Sequence, residues 1–363
     1  MKKLDWYILK KFLTTFFFAI FLFAIIAVVV DVSEKTDDFV KSGLSVRKII
    51  TLYYFGFIPH IIALLFPLFV FIAVIFFTSK MAGKSEIIAI LASGTSYPRW
   101  LRPYWIGGGI LALLLFFANR YVVPRANQTR SAFESKYIDG NNSYNALVST
   151  SSNIYLRVDS FTYAGIYSYD TLTKRGGPVF FYKVQGKKVV QNMRAEIIMW
   201  DTASKKWRLE TLIERNLSPL MERVNIEPTR LMNFNFKPYD LGKDKYTKDK
   251  LTSPELNRFI QLEELRGSEG LNELKVERYR RDATCVTVLL LTLIGAIVAG
   301  KKVRGGSGVH LAVGFMIAAL FIVTDRFSTI FSTKGNLPAL IAAWIPNLLF
   351  VFVVIYLYRK APK

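Results

Sequence analysis

Six long apolar runs, three before and three after a polar block at 119–282, constrain this chain more than any other feature. The hydrocarbon core of a bilayer is about 30 Å thick and takes about 20 apolar residues to cross as a helix. The runs at 12–30, 53–78, 100–118, 283–299, 309–323 and 339–357 answer to that length, the fourth and fifth being short. Past the fifth, Asp325 and Arg326 interrupt a stretch that stays mostly apolar to Phe331, which predicts a helix continuing beyond them. The expected fold is membrane α-helical, six transmembrane helices in a 3 + 3 arrangement, with one inserted extramembrane domain. The first run follows Met1-Lys2-Lys3, yet the bulky Val28-Val29-Val30-Asp31-Val32 offers no small-residue cleavage site, so it reads as a signal anchor.

Charge then orients the spans. The 363 residues carry a net +21. The N-terminus, the 79–103 and 301–310 loops and the C-terminal tail together hold 14 Lys/Arg and 2 Asp/Glu. The 31–48 loop is balanced and the 331–337 loop has only Lys334. Short loops rich in Lys and Arg stay cytoplasmic, which predicts both termini inside and the 119–282 block outside. Basic patches beside membrane helices answer to topology and anionic lipid, so no nucleic-acid partner is expected. The outer block has 28 Lys/Arg against 20 Asp/Glu, a modest attraction for an anionic partner. The one cysteine, Cys285, falls in an apolar run, so no disulfide is expected to brace the outer domain. His60 and His310 are far apart without companion ligands, and neither a metal site nor a cofactor is expected.

From about 149 to 239 the pattern shifts to short alternating runs separated by turn residues. Asn153–Val158, Gly165–Tyr169, Val179–Val184, Val189–Trp200 and Trp207–Ile213 are the expected strands, with Lys174-Arg-Gly-Gly-Pro178 and Gln185-Gly186 as turns. Such repeats predict an all-β antiparallel sandwich or roll with an aromatic core. A polar linker follows to Thr252. Ser253-Pro254-Glu255 then opens a helix, with Ser253 as the expected N-cap, and 271–281 continues helically into the fourth span.

Gly83-Lys84-Ser85 imitates the end of a phosphate-binding loop, but that motif needs a glycine at position 78, which is Thr78, and a preceding strand. The chain has no nucleotide site there, and Gly305-Gly306-Ser307-Gly308 lacks the Lys-Ser/Thr that would make one. The segment 84–94 is instead a short amphipathic helix, with Glu86 in its first turn and Gly94 as a C-terminal stop. Ile87, Ile90 and Leu91 make an apolar stripe that can dock into a groove on a soluble partner or rest on lipid. Pro59 and Pro67 in the second span and Gly107-Gly108-Gly109 in the third suit kinked, closely packed helices. Lys35 and Lys41 follow the first span, Arg120 and Arg125 the third, and Arg326 lies near the outer end of the fifth, where ionisable groups attract a functional reading. Asp325 beside Arg326 is also read as a local pair that satisfies itself.

These pieces, in this order, resemble the lipopolysaccharide-export permeases LptF and LptG, LptG the more closely. Leu4-Asp-Trp-Tyr-Ile-Leu-Lys-Lys-Phe-Leu13 resembles the family's opening helix, and Asn119-Arg-Tyr-Val-Val-Pro124 its exit from the third span. Pro67-Leu68 followed by Ser85-Glu-Ile-Ile-Ala-Ile-Leu-Ala-Ser-Gly94 resembles the stretch holding the coupling helix, and Ala342-Ala-Trp-Ile-Pro-Asn-Leu-Leu349 the last helix. The resemblance implies a permease of an ABC transporter in the bacterial inner membrane, without catalytic activity of its own, driven by two copies of the ATPase LptB. Its partner would be LptF, LptG or a second copy of this chain, and its cargo lipopolysaccharide passed to LptC and the periplasmic bridge. It implies helices 1–3 over 1–118, a periplasmic β-jellyroll and linker over 119–252, a helical connection over 253–282 and helices 4–6 over 283–363. Glu86, Ile87, Ala89, Ile90, Leu91 and Gly94 become the ATPase-coupling residues. Lys35, Lys41, Arg120, Arg125 and Arg326 become candidate substrate contacts, although Asp31 stands where LptG proteins typically carry a basic residue. Two other classes fit parts of the pattern: an envelope sensor or assembly protein whose cytoplasmic helix binds a partner, and a lipid-modifying enzyme. Against the last, no His/Asp/Glu constellation falls among the spans.

Overall fold

The apolar runs become six helices long enough to cross a membrane. A computed structural model describes residues 3–138, 150–170, 173–218, 221–241, 247–266, 270–302 and 306–361. It separates into a helical unit (1–133, 248–256 and 272–363) and a sheet unit (134–247 and 257–271). In chain order the first helices are α1 (Lys3–Lys41), α2 (Val46–Ile49), α3 (Phe55–Gly83), the short α4 (Glu86–Ala92), α5 (Tyr97–Phe117) and α6 (Val123–Phe133). Wide π turns at Ile50–Tyr54 and Ala118–Val122 fuse α2 to α3 and α5 to α6, and a third follows at Glu134–Ile138. After the strands come α7 (Pro238–Leu241), α8 (Thr247–Lys250), α9 (Ser253–Arg266), α10 (Leu271–Ala299), α11 (Gly306–Thr333) and α12 (Ala339–Lys360). The fifth span does run through Asp325 and Arg326, as expected.

Two boundaries differ from the sequence reading. The third span does not end at 118 with its apolar run; it continues as a polar helix because α6 packs on α3. A Cβ at Gly56 would lie 2.4 Å from the Ala126 carbonyl oxygen, so only glycine permits that approach. The cap of α9 is Thr252 rather than Ser253. The Thr252 N–H and hydroxyl both donate to Glu255, at 2.9 and 2.6 Å, the half of a capping box in which the third helical residue reaches back to the cap. Ser253 is instead buried and accepts from Arg281.

Within the helical unit α10 is the central post. Of its apolar window 72% is buried, against 11% in α1 and 17% in α11. Phe12 of α1, Phe77 of α3 and Tyr104 of α5 stack in sequence at 5.7 and 5.6 Å, and the Tyr104 hydroxyl meets Thr78 at 3.0 Å. Gly107 lies under Phe12: a Cβ there would be 2.5 Å from the ring. Alone among the spans, α1 contains neither glycine nor proline. Arg281, nearly buried, straps the 248–253 strip to α10 by donating to the Leu251 and Lys248 carbonyls, each at 2.8 Å, and to Glu277 at 3.2 Å.

The sheet unit is antiparallel: β1 (Thr150–Arg157), β2 (Thr162–Asp170), β3 (Arg175–Gly176), β4 (Val179–Gln185), β5 (Lys188–Ala195), β6 (Ile197–Asp201), β7 (Lys206–Leu217) and β8 (Glu222–Met232). β3 and β4 both pair with β2, broken by the cis Gly177-Pro178 peptide, while β5 and β6 both pair with β7. The sheet is thus a meander in chain order, its middle strands each kinked once. Trp207, Tyr169, Phe181 and Ile198 fill one face, and the chain after β8 crosses it: Phe234 stacks on Phe181 at 4.6 Å and the Trp207 indole donates to the Phe236 carbonyl at 2.9 Å. Burial pushes the Tyr169 phenol up to about 12. β8 escaped the sequence reading because charges and Pro228 interrupt it. It is an edge, and Pro228 falls opposite Thr211 (φ +55), the one position of the β7–β8 ladder where the two strands are not paired, so its missing N–H costs the ladder nothing.

Candidate functional site

Two clusters at opposite ends of α1 gather most of the residues singled out from sequence. The first surrounds α4. Ser85 enters it with φ +60 and accepts a 2.8 Å hydrogen bond from Lys302, and Gly94 ends it with φ +85, the left-handed stop expected there. Glu86 faces α1. It accepts a hydrogen bond from the Tyr7 hydroxyl at 3.2 Å and lies 3.7 Å from the Lys11 ammonium, which itself contacts Tyr7. Two residues before Tyr7, the buried Asp5 accepts from Arg99 at 3.0 Å. The foot of α1 is therefore joined by ionic contacts to both sides of the α4 stub.

The apolar stripe of α4 does not face outward. Ile87 is 1% exposed inside the bundle's own core, and Ile90 and Leu91 pack partly against it. The free ridge is Ile88, Ala89 and Ala92, with Ser93 and Gly94 continuing it. α4 is apolar at every position but Glu86, and its own bundle takes the Ile87 side because burial there is intramolecular, leaving the Ile88 side free. Sequence periodicity locates such a stripe without saying which surface covers it.

The second cluster is centred on Asp31, 6% exposed. Lys35 donates to its carboxylate at 2.7 Å, Tyr53 at 3.1 Å and Tyr54 at 3.0 Å; Lys35 also touches the Tyr53 hydroxyl and stands over its ring. Both tyrosines sit in the Ile50–Tyr54 π turn, whose wider winding lets two consecutive side chains reach one acceptor. Asp31 thus neutralises Lys35, and sequence reasoning missed the two tyrosines that complete the group. The remaining cations are dispersed. Lys41 and Arg125 are exposed, and Arg120 lies over the Phe116 ring at 5.7 Å. Asp325 pairs with Arg280 of α10, not with its neighbour Arg326, which opens onto a cavity of about 500 Å³.

Comparison with known proteins decides the family. Residues 6–360 match the family described as "Lipopolysaccharide export system permease LptF/LptG". The chain belongs to the LptF/LptG family. It is also 20% identical to the lipopolysaccharide export system permease protein LptG of Escherichia coli K12, over 98% of both chains. The LptG protein of E. coli O6:H1 is related to the same degree. The permease is accordingly a multi-pass inner-membrane protein of the lipopolysaccharide export system, with six apolar helices and an antiparallel β domain inserted between the third and the fourth.

Proposed function

We propose that this permease is the membrane half of an ATP-driven machine that lifts lipopolysaccharide from the outer leaflet of the inner membrane. On this reading the termini and α4 are cytoplasmic and the sheet unit periplasmic, as the basic short loops require. Two LptB subunits bind beneath, and LptF, LptG or a second copy of this chain supplies the other half of the cavity. The bare faces of α1 (Phe18, Phe21) and α11 (Leu320, Phe331) are what such a partner and its cargo would cover. The sheet unit would hand the cargo to LptC and the periplasmic bridge.

One observation carries the reading: a chain of an export family presents the short α4 between its second and third spans, its Ile88 ridge uncovered, and has no phosphate-binding loop of its own. Ile88 is 51% exposed, so burying it in an ATPase groove contributes about 1 kcal/mol. Glu86 is 28% exposed and divides its charge between Lys11 and the groove. Ala89 and Gly94 give the close backbone approach, while Ile87, Ile90 and Leu91 fix α4 to the bundle so that its displacement is transmitted. Lys41, Arg120 and Arg125 supply cations for cargo phosphates; Lys35 acts through Asp31 instead.

Purification of the full complex tests this. An ATPase should accompany the chain stoichiometrically, and Glu86→Lys, which adds a second cation beside Lys11, should leave ATP hydrolysis while abolishing lipid release. Glu86→Gln keeps an acceptor for Tyr7 and should lose less. A stable, active chain without any ATPase refutes the assignment, as does normal export by Glu86→Lys.

A further inference from the structure

The geometry points to a second lipid site within this chain's own helix bundle: a cavity that takes a diacyl phospholipid with a primary-amine headgroup, of the phosphoethanolamine kind. The cavity lies among α3, α6, α8, α10, α11 and α12 and encloses about 500 Å³, within the range of small-molecule pockets. Its inner wall is apolar, built by Leu68, Leu291 and Phe321. Leu64 of α3 and Ile322 of α11 also line it and are 56% and 46% exposed, so the cavity is open past apolar side chains that suit an acyl chain.

The polar lining offers groups for both signs. Arg326 makes no hydrogen bond or ion pair among the described residues. The other cations of the lining are already engaged: Arg280 with Asp325, Lys248 with Glu273, and Arg281 with Glu277 and two carbonyls. An anionic group entering this cavity therefore finds one guanidinium to itself. The lining also holds acceptors. Asn127 is 3% exposed and donates its amide to the Asp249 carbonyl at 3.1 Å, but its buried Oδ1 receives no hydrogen bond. An acceptor buried without a donor costs about 1–3 kcal/mol, so it marks a place where a donor belongs. Beside it the Asp249 carboxylate accepts no hydrogen bond among the described residues. Burial, and then the charge of Glu277, push that carboxyl above its ordinary range, a strain that a neighbouring ammonium would relieve.

A phosphate for Arg326, an N–H-bearing cation for Asn127 and Asp249, and an apolar opening for acyl chains describe one molecule. Phosphatidylethanolamine has all three. Phosphatidylglycerol brings no cation, and the trimethylammonium of phosphatidylcholine has no N–H to give Asn127. The inference stands apart from the export reading, since it concerns lipid retained within one permease and not cargo moved between two.

The test uses the full complex, delipidated and re-equilibrated with equimolar phosphatidylethanolamine, phosphatidylglycerol and phosphatidylcholine, read by native mass spectrometry. Phosphatidylethanolamine should be retained about tenfold over each of the others, the worth of one charge-assisted hydrogen bond. Arg326→Gln, an exposed substitution that leaves folding intact, should lower retention about tenfold; Asn127→Leu should narrow the advantage over phosphatidylcholine. A photocrosslinker at Ile322 locates the site and should capture phosphatidylethanolamine. Equal retention of the three lipids, unchanged retention in Arg326→Gln, or capture at Ile322 of lipopolysaccharide alone would each overturn the assignment.

Discussion

Removing the Asp31 carboxylate should strongly destabilise the helical unit. Asp31 is 6% exposed and accepts three hydrogen bonds, one from an ammonium. Breaking a buried ion pair by deleting one partner costs about 3–5 kcal/mol. The Lys35 side chain is 23% exposed, so solvent screens its half of the pair and the lower end applies: about 3 kcal/mol for Asp31→Ala. Asp31→Asn keeps an acceptor oxygen while losing the charge, and should cost about 1–2 kcal/mol. Tyr54→Phe removes one donor, about 1 kcal/mol, and the Asp31→Asn/Tyr54→Phe double variant should lose less than the sum, because the two share a hydrogen bond. SDS-titration unfolding in mixed micelles measures all four. Strict additivity, or a cost for Asp31→Ala no greater than that of a surface substitution, refutes a mutually supporting cluster.

Gly107→Ala should destabilise by about 1–3 kcal/mol, since its Cβ would stand 2.5 Å from Phe12, whereas Gly109→Ala, with nothing within 4 Å, should be neutral or better; the same titration compares them. In the sheet unit, burial raises the Glu214 carboxyl, but hydrogen bonds from Arg230 and Gln191 and the charge of Arg230 bring it below 4.5 overall. Its contribution is complete above that unfolded value and disappears as pH falls through the lower folded one, so amide exchange over 222–232 should quicken below about pH 4. Arg230→Met should weaken this pH dependence, and an unchanged profile would refute it. In a Cys285→Ser background, Lys41→Cys should react with an impermeant maleimide in intact spheroplasts and Ser93→Cys only after permeabilisation; the reverse pattern would invert the topology.

Spans and most strands are legible in the sequence because both rest on local periodicity. Hence the fifth helix was traceable through Asp325, and 179–184 and 207–213 were readable as strands. What periodicity omits is the partner. Ile87, Ile90 and Leu91 form a stripe whichever surface covers them, and only the packed bundle shows that their own chain takes Ile87. Asp325 and Arg326 are neighbours in sequence, yet successive helical residues point about 100° apart, so Arg280, 45 positions away, is the partner that Asp325 reaches. In sequence Asp31 reads as a missing basic residue; its meaning comes from Tyr53 and Tyr54, aligned by a π turn that no pattern announces. β8 was missed for the opposite reason, since an edge strand has no buried side to impose alternation.

The unbroken run of α1 has a mechanical consequence. At 1.5 Å per residue its 39 residues form a rod about 58 Å long, with no glycine or proline at which to flex. Its N-terminal part is clasped by Glu86 and Arg99, and in its C-terminal third Asp31 holds Tyr53 and Tyr54. With no hinge between them, a displacement of the α4 stub is expected to be felt, as tilt or translation of one helix, at those tyrosines.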